Sequence, residues 1–222
     1  MGITSVINTD RLYWLGRYSE RVFTTLRLFS ISFDKLIDEY EDDYHGFCRS
    51  LDIPDIYKDK QDFIERYAFD PENPNSIVSN LQRAYDNAIE LREEIGSEAF
   101  SYVQMAVYEM NAAKTCESPL LRFQKITDAI LAFWGCADDQ IDDENTRNII
   151  KIGKRVERLD LYARLGEDRE AIRRDLNRLS GRIDHTNLIY RKEDLQHLKD
   201  LVNAPVLSYR EIIETAEQLV EC

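Results

Sequence analysis

Apolar residues recur at three- and four-residue steps along almost the whole chain, the spacing that lines one face of a helix. Leu12, Leu15, Val22, Phe23, Leu26, Phe29, Phe33, Leu36 and Ile37 form the first such stripe. Thr9 or Asp10 is placed to cap this helix, which is expected to run to about Tyr40. Asp42 to Leu51 and Asp59 to Phe69 predict two short helices on either side of Pro54, and the polar run Asp70-Pro71-Glu72-Asn73-Pro74-Asn75-Ser76 is the clearest break in the chain. After a cap at Asn75 or Ser76, helices are expected over Ile77 to Ile95, ended by Gly96, and from Ser97-Glu98 to about Lys114. A helix with Pro119 in its first turn should reach about Ile141, and one from Glu144 to Leu165 should end at Gly166. Glu167 to Leu179, Lys192 to Val202 and Ser208 to Val220 complete the pattern, and no run of alternating residues predicts a strand. Long helices joined by short connections make an antiparallel bundle. The same amphipathic pattern on both sides of the 70–76 loop argues for one domain over residues 1–222. The expected class is all-α.

Composition narrows this further. Eight glycines and five prolines in 222 residues are about half the usual ~12% share, which argues against a turn-rich all-β fold. Asp and Glu outnumber Lys and Arg by 42 to 29, for a formal charge of -13, and such a surface repels nucleic-acid backbones and anionic lipid. A hydrophobic share of 43% still supports a packed core. No apolar run approaches the ~20 residues needed to span a bilayer. Residues Met1 to Asp10 lack the charged and apolar regions of a signal peptide, and Val6 stands where a myristoylation start has Ser or Thr. Cys48, Cys116, Cys136 and Cys222 form no Cys-x-x-Cys pair, a usage that suits a reducing cytoplasm. The expectation is a soluble cytoplasmic protein with neither nucleic-acid nor membrane partners.

The most specific signal is an internal repeat. Leu12-Tyr13-Trp14-Leu15-Gly16-Arg17-Tyr18-Ser19-Glu20-Arg21 aligns without gaps on Ile149-Ile150-Lys151-Ile152-Gly153-Lys154-Arg155-Val156-Glu157-Arg158, and Arg27-Leu28 on Arg164-Leu165. Glycine inside a helix costs about 1 kcal/mol relative to alanine, so its presence in the same register twice suggests close backbone approach. At 100° per residue, Gly16, Glu20 and Arg27 fall on one ridge beside the apolar stripe, and Gly153, Glu157 and Arg164 do the same. A carboxylate at the edge of a core needs a partner. The repeat therefore predicts two helices crossing near their glycines, with each glutamate held by an arginine of the other motif or its neighbours. Such a network either joins the helices or forms a polar pocket. Arg21 and Arg158 point farther round, near the azimuth of Trp14, where Tyr13, Trp14 and Tyr18 cluster.

These residues resemble the alpha-E domain family, named for its helical content and its Glu-Arg motif. Its first-helix signature is similar to Leu12 to Arg21. Its later Gly-Arg-x-x-Glu-Arg-x-Asp signature is similar to Gly153 to Asp160, with Lys154 replacing the usual Arg. The run Asp70 to Ile77, then Ala84-Tyr85-Asp86-Asn87-Ala88, Arg92 and Ser97-Glu98, also resembles the family, although its Arg-Glu-Asn is here Tyr85-Asp86-Asn87 and Phe100 lies near where it tends to have Trp. The resemblance covers Leu12 to Leu165, and the chain is shorter than usual members after residue 110. It implies a setting beside ATP-grasp peptide ligases, transglutaminase-like proteins and proteasome-like peptidases in bacterial operons, hence a role in making or modifying a small peptide or amide. It assigns no catalytic residue and no cofactor.

Rival constellations are weaker. Asp138-Asp139-Gln140-Ile141-Asp142-Asp143 is similar to the Asp-Asp-x-x-Asp of prenyl-diphosphate enzymes, which hold Mg²⁺ there. No second acidic motif accompanies it, so an exposed helix end leading into a cap is the simpler reading. His45, His185 and His197 are scattered, and Asp42-x-x-His45 and Asp194-x-x-His197 do not make the Glu-x-x-His pairs of a di-iron bundle. No metal site is expected. Cys136, beside Phe133 and Trp134, reads as core, and Asp38 to Asp43 as a solvated charge run. The glycines form no phosphate-cradling loop, so any ATP would be bound by another subunit. The resulting expectation is a partner or substrate-handling protein for an ATP-grasp-type ligase. A transglutaminase-like protein, a small peptide or amino-acid-like substrate and a second copy of the chain are further candidate partners. Binding is assigned to Trp14, Arg17, Glu20, Arg21, Arg27, Asn73, Asn87, Arg92, Lys154, Glu157, Arg158 and Arg164. The alternatives are an acid–base enzyme using Glu20 or Glu157, and a Mg²⁺-dependent diphosphate enzyme using the Asp138–Asp143 cluster.

Overall fold

Capping side chains set several of the helix starts seen in the computed structural model. Asp59, Ser76, Asp143 and Asp168 each accept a hydrogen bond from the backbone N–H three residues on, satisfying a donor that the first turn leaves open. The structure describes residues 6–38, 44–116 and 118–221, and for residues 6 and 33–38 the backbone alone. The expected helix end at Tyr40, the start at Asp42, the Phe33, Leu36 and Ile37 side chains, the Asp38–Asp43 charge run and Cys222 therefore lie outside the described residues.

Ten helices account for most of the rest: α1 (Val6–Asp38), α2 (Tyr44–Leu51), α3 (Lys60–Phe69), α4 (Ile77–Glu90), α5 (Arg92–Ala113), α6 (Leu120–Gln140), α7 (Glu144–Arg164), α8 (Arg169–Ile183), α9 (Lys192–Asn203) and α10 (Tyr209–Gln218). The protein is all-α, as expected. Five details differ from the sequence reading. The cap expected at Thr9 or Asp10 is not one, because α1 already runs from Val6 and both residues lie inside it, with Thr9 buried. The helix expected over Ile77 to Ile95 breaks at Leu91, which is non-helical and completely buried. The interruption expected at Gly96 is a kink inside α5, made by a φ of +79° that glycine adopts without penalty. The helix expected over Glu167 to Leu179 starts later, because Asp168 caps it, and gains a turn at its end, where Ile183 extends the buried stripe of Ile172, Leu176 and Leu179. Val220 lies beyond α10 in an isolated antiparallel bridge to Tyr190.

The chain divides into two compact units, residues 1–20 with 142–222 and residues 21–141. In the second, α3 packs on α4, α4 on α5 and α5 on α6. Its core holds an aromatic cluster in which Phe29 lies 5.9 Å from Phe63, 5.6 Å from Tyr67 and 5.8 Å from Phe123, ring centre to ring centre. Burial pushes the Tyr57 hydroxyl in this unit up to about 12, and the Asn73 amide hydrogen-bonds it. In the first unit α7 packs on α8 and α10, and α9 on α8 and α10. The first half of α1 crosses α7 there.

A candidate functional site at the crossing of the two motifs

The crossing is close, with the backbone of each helix against a glycine of the other. A methyl group added at Gly16 would overlap the Ile150 carbonyl oxygen and stand 3.0 Å from the Lys154 backbone nitrogen. One added at Gly153 would overlap the Tyr13 carbonyl oxygen and stand 3.1 Å from the Arg17 nitrogen. The two glycines thus face each other's helices reciprocally, as the repeat predicts.

One turn beyond each glycine, the glutamates exchange partners. Arg17 Nε donates to Glu157 Oε2 at 2.7 Å, and Arg158 Nε donates to Glu20 Oε1 at 2.6 Å. Glu20 and Glu157 are 0% and 1% exposed, so both carboxylates have left water and depend on these charge-assisted bonds. Burial is the largest single influence and opposes the charge on Arg17, but Glu157 together with Tyr13 and Asp160 outweighs it and raises the guanidinium above its ordinary range. Arg158 follows the same logic against Glu20. Arg17 is the basic residue that follows the glycine of its motif, and Arg158 is the arginine of the other motif's Glu-Arg pair. The position equivalent to Arg17 is Lys154.

Lys154 is half-buried on α7. Burial pushes its ammonium down to about 7, Arg158 and Arg155 push the same way, and Glu20 and Asp175 oppose them. Asp175 of α8 is itself buried, pairs with Arg155 and lies 4.0 Å from Arg158 Nη1. It joins Glu20, Arg158 and Arg155 into one chain of charges. At the far end of α7, Arg164 Nε donates to both oxygens of the fully buried Asp160 at 3.0 and 3.1 Å, and Nη2 reaches Glu217 of α10 at 2.8 Å. An aromatic wall stands on the other side. Trp14 stacks on Tyr18 with ring centres 5.2 Å apart, and the Arg17 guanidinium lies 5.0 Å over the Trp14 ring.

Of the twelve residues assigned from sequence, Trp14, Arg17, Glu20, Lys154, Glu157, Arg158 and Arg164 belong to this unit. The other five belong to residues 21–141. Arg21 is half-buried there, and Arg27 is exposed with its guanidinium 5.3 Å over Phe23. Asn73 is buried and folds its own loop by accepting from the Asn75 N–H. Asn87 is half-buried on α4, and Arg92 lies 5.2 Å over Phe100. Sequence reasoning missed Asp175 as a member of the network, and a signal was there. It occupies an apolar position of α8, between Ile172 and Leu179 at helical spacing, where a lone carboxylate requires a cation. Arg155 and Asp160 stood inside the second motif without a role.

The Asp138–Asp143 run has a structural use at its end. Asp143 accepts the Thr146 N–H at 2.7 Å to cap α7, and that bond holds its carboxyl below the usual range. All four aspartates are exposed, and the described residues contain no group of three or more His, Cys, Asp or Glu able to hold a metal. Cys136 is buried, as its apolar neighbours predict, and Cys48 is buried too, while Cys116 is exposed. His45, exposed, pairs with Asp55. No described helix is long and apolar enough to cross a membrane.

An all-α chain whose repeated Glu-Arg motifs meet in a charged helix crossing defines a narrow class. The chain belongs to the Alpha-E family, whose model, described as a predicted alpha-helical domain with a conserved ER motif, matches residues 8–191. No curated protein and no solved structure matches it.

Proposed function

We propose that the protein is a substrate-handling partner of an ATP-grasp-type amide or peptide ligase in bacterial peptide biosynthesis, and that the crossing of α1 and α7 receives the peptide-like group. The observation that carries this reading is the concentration of ionised side chains at one crossing. Glu20, Glu157, Arg17, Arg155, Arg158 and Asp175 meet where Gly16 and Gly153 already bring the backbones into contact. Buried ion pairs contribute little net stability over apolar residues of the same size, so a crossing that needed only adhesion would do as well with leucines. The arginine edges also stay within reach of a ligand, with the Arg155 and Arg158 side chains 15% and 16% exposed. Guanidinium groups suit the carboxylate of an amino acid or peptide, and the Trp14–Tyr18 stack offers an apolar flank. The engaged, fully buried state of Glu20 and Glu157 favours binding over acid–base chemistry, which requires a carboxyl that reaches the substrate.

Reconstitution with an ATP-grasp-type ligase from the same source, followed by mass spectrometry of the products, tests this. Amide product should require both proteins and should fall at least about tenfold with Arg158→Lys, which keeps the charge but loses the planar fork, while the melting temperature barely moves. Equal product formation without this protein, or with a folded Arg158→Lys variant, overturns the reading.

A further inference from the structure

We propose that the surface where α7 meets α8 is a docking track for an acidic peptide segment, whose Asp and Glu carboxylates are held by arginines of both helices. Charge runs against the trend of the chain here. In a protein of net charge -13, α7 and α8 carry 11 of the 29 Lys and Arg residues but 5 of the 42 Asp and Glu residues. On α8, Arg174, Arg178 and Arg182 recur every four residues, along one side of the helix. On α7, Lys151, Arg155 and Arg158 recur at steps of four and three. Arg174 and Arg178 are exposed, and Lys151 and Arg182 half-buried.

The two rows meet in antiparallel order. Arg155 pairs with Asp175, which lies 4.0 Å from Arg158 Nη1. Farther along α8, Arg178 acts on Arg155 and Arg182 on Lys151, so cation is set against cation beyond the Asp175 pair. Burial first, then Arg182 and Arg155, hold the Lys151 ammonium below its ordinary range. Arg182 donates to the Arg178 carbonyl at 3.0 Å, and among the described residues no carboxylate pairs with Arg174, Arg178 or Arg182. Like charges facing each other across a helix boundary are a cost. An anion laid between the rows removes it.

The chemistry of the rows selects the occupant. Five of the six cations are arginines, whose planar fork suits carboxylates. Alternate side chains of an extended chain stand ~7 Å apart, nearly in step with helix positions four apart, at ~6 Å. About five acidic-peptide residues therefore cover the ~12 Å from Arg174 to Arg182. A nucleic acid fits less well. Among their residues, α8 has no aromatic side chain to stack on a base and α7 has Tyr162 alone. A longer strand would also run onto the strongly negative remainder of the surface. Arg155, Arg158 and Asp175 belong both to this track and to the crossing assigned above to the peptide-like group. That the docked segment is the ligase's substrate rests on that reading, whereas docking itself needs no ligase.

Fluorescence anisotropy of a labelled ten-residue glutamate peptide with the full chain tests the track, at about 0.15 M salt to screen charges beyond about 8 Å. Binding should saturate, and the triple variant Arg174→Gln, Arg178→Gln, Arg182→Gln should weaken it at least about tenfold. Lys125→Gln, Lys192→Gln and Arg210→Gln together remove three exposed cations elsewhere and should change it less than about twofold. The melting temperature of the track variant should hold or rise as repulsion is relieved, and a fall would make the row structural and overturn the assignment. Absence of saturable binding, or equal weakening in the two triple variants, overturns it as well. Tighter binding of a ten-nucleotide single-stranded DNA overturns the peptide as occupant. Track-dependent binding beside a failed ligase reconstitution would leave the track standing and refute the partnership. Successful reconstitution without peptide binding would refute the track alone.

Discussion

Arg17 and Glu157 are 7% and 1% exposed, so neither charge tolerates losing the other. Replacing Glu157 alone, as Glu157→Leu, strands a buried guanidinium and should destabilise the protein by about 3–5 kcal/mol. Removing both charges together, with Arg17→Met and Glu157→Leu, should cost clearly less than the single change, and urea unfolding of the three variants measures the difference. Lys154 obeys a different rule at the same crossing. Its folded-state value near 7 lies below the ~10.4 of an unfolded lysine, with burial as the largest cause. Between those values the unfolded chain binds the extra proton, so this residue makes stability rise with pH from about 7 towards about 10. Lys154→Met should be more stable than the parent at pH 7, and the gap should close as the pH rises. The opposite trend in parallel melts would refute the assignment.

At the scale of the element, the two repeated glycines and the unrepeated ones separate cleanly. Gly16→Ala and Gly153→Ala each push a methyl into the backbone of the facing helix, and helices cannot yield there without moving apart. Each should cost about 1–3 kcal/mol or more. Gly135, exposed within α6, would give an added methyl no neighbour within 4 Å. Gly135→Ala should therefore stabilise by up to about 1 kcal/mol through helix propensity. Chemical denaturation of the three variants checks both signs. The same contrast explains what the sequence could tell. A glycine whose register recurs in a second helix carried its reason with it, and so did the glutamates one turn on. The break at Leu91 carried none, because a buried leucine is a normal helix residue and the kink arises from packing. Asp175 was legible only as an anomaly, since its partner lies on another helix 20 residues away in sequence. The angular argument placed Arg27 on the ridge of Glu20 and Arg21 farther round, near Trp14, yet both belong to a different unit of the fold, because azimuth around a helix says nothing of which neighbour covers each turn.

For the whole molecule, the formal charge of -13 sets behaviour in solution. Screening shortens from about 30 Å at 0.01 M salt to about 8 Å at 0.15 M, which relieves repulsion among exposed carboxylates and leaves pairs as buried as Arg17–Glu157 nearly untouched. The melting temperature should rise over that range, as calorimetry can show, and a fall would mean that exposed ion pairs outweigh the excess of negative charge. Fold class was readable because helical periodicity is a property of each segment. The charge network was only half readable, because a repeat within one chain can show that two motifs belong together but not which arginine each glutamate chooses.

The exchanged ion pairs also act as a vernier. Each helix contributes one cation and one anion to the exchange, Arg17 with Glu20 and Arg158 with Glu157, and each reaches across to the other. Sliding α1 along α7 by a single turn, about 5.4 Å, would part both pairs and carry both glycines away from the backbone each now faces. Many helix interfaces have a neighbouring register almost as good as their own. This one has two dowels and two notches cut for its own setting, so a shift of α1 past α7 gives up all four contacts at once.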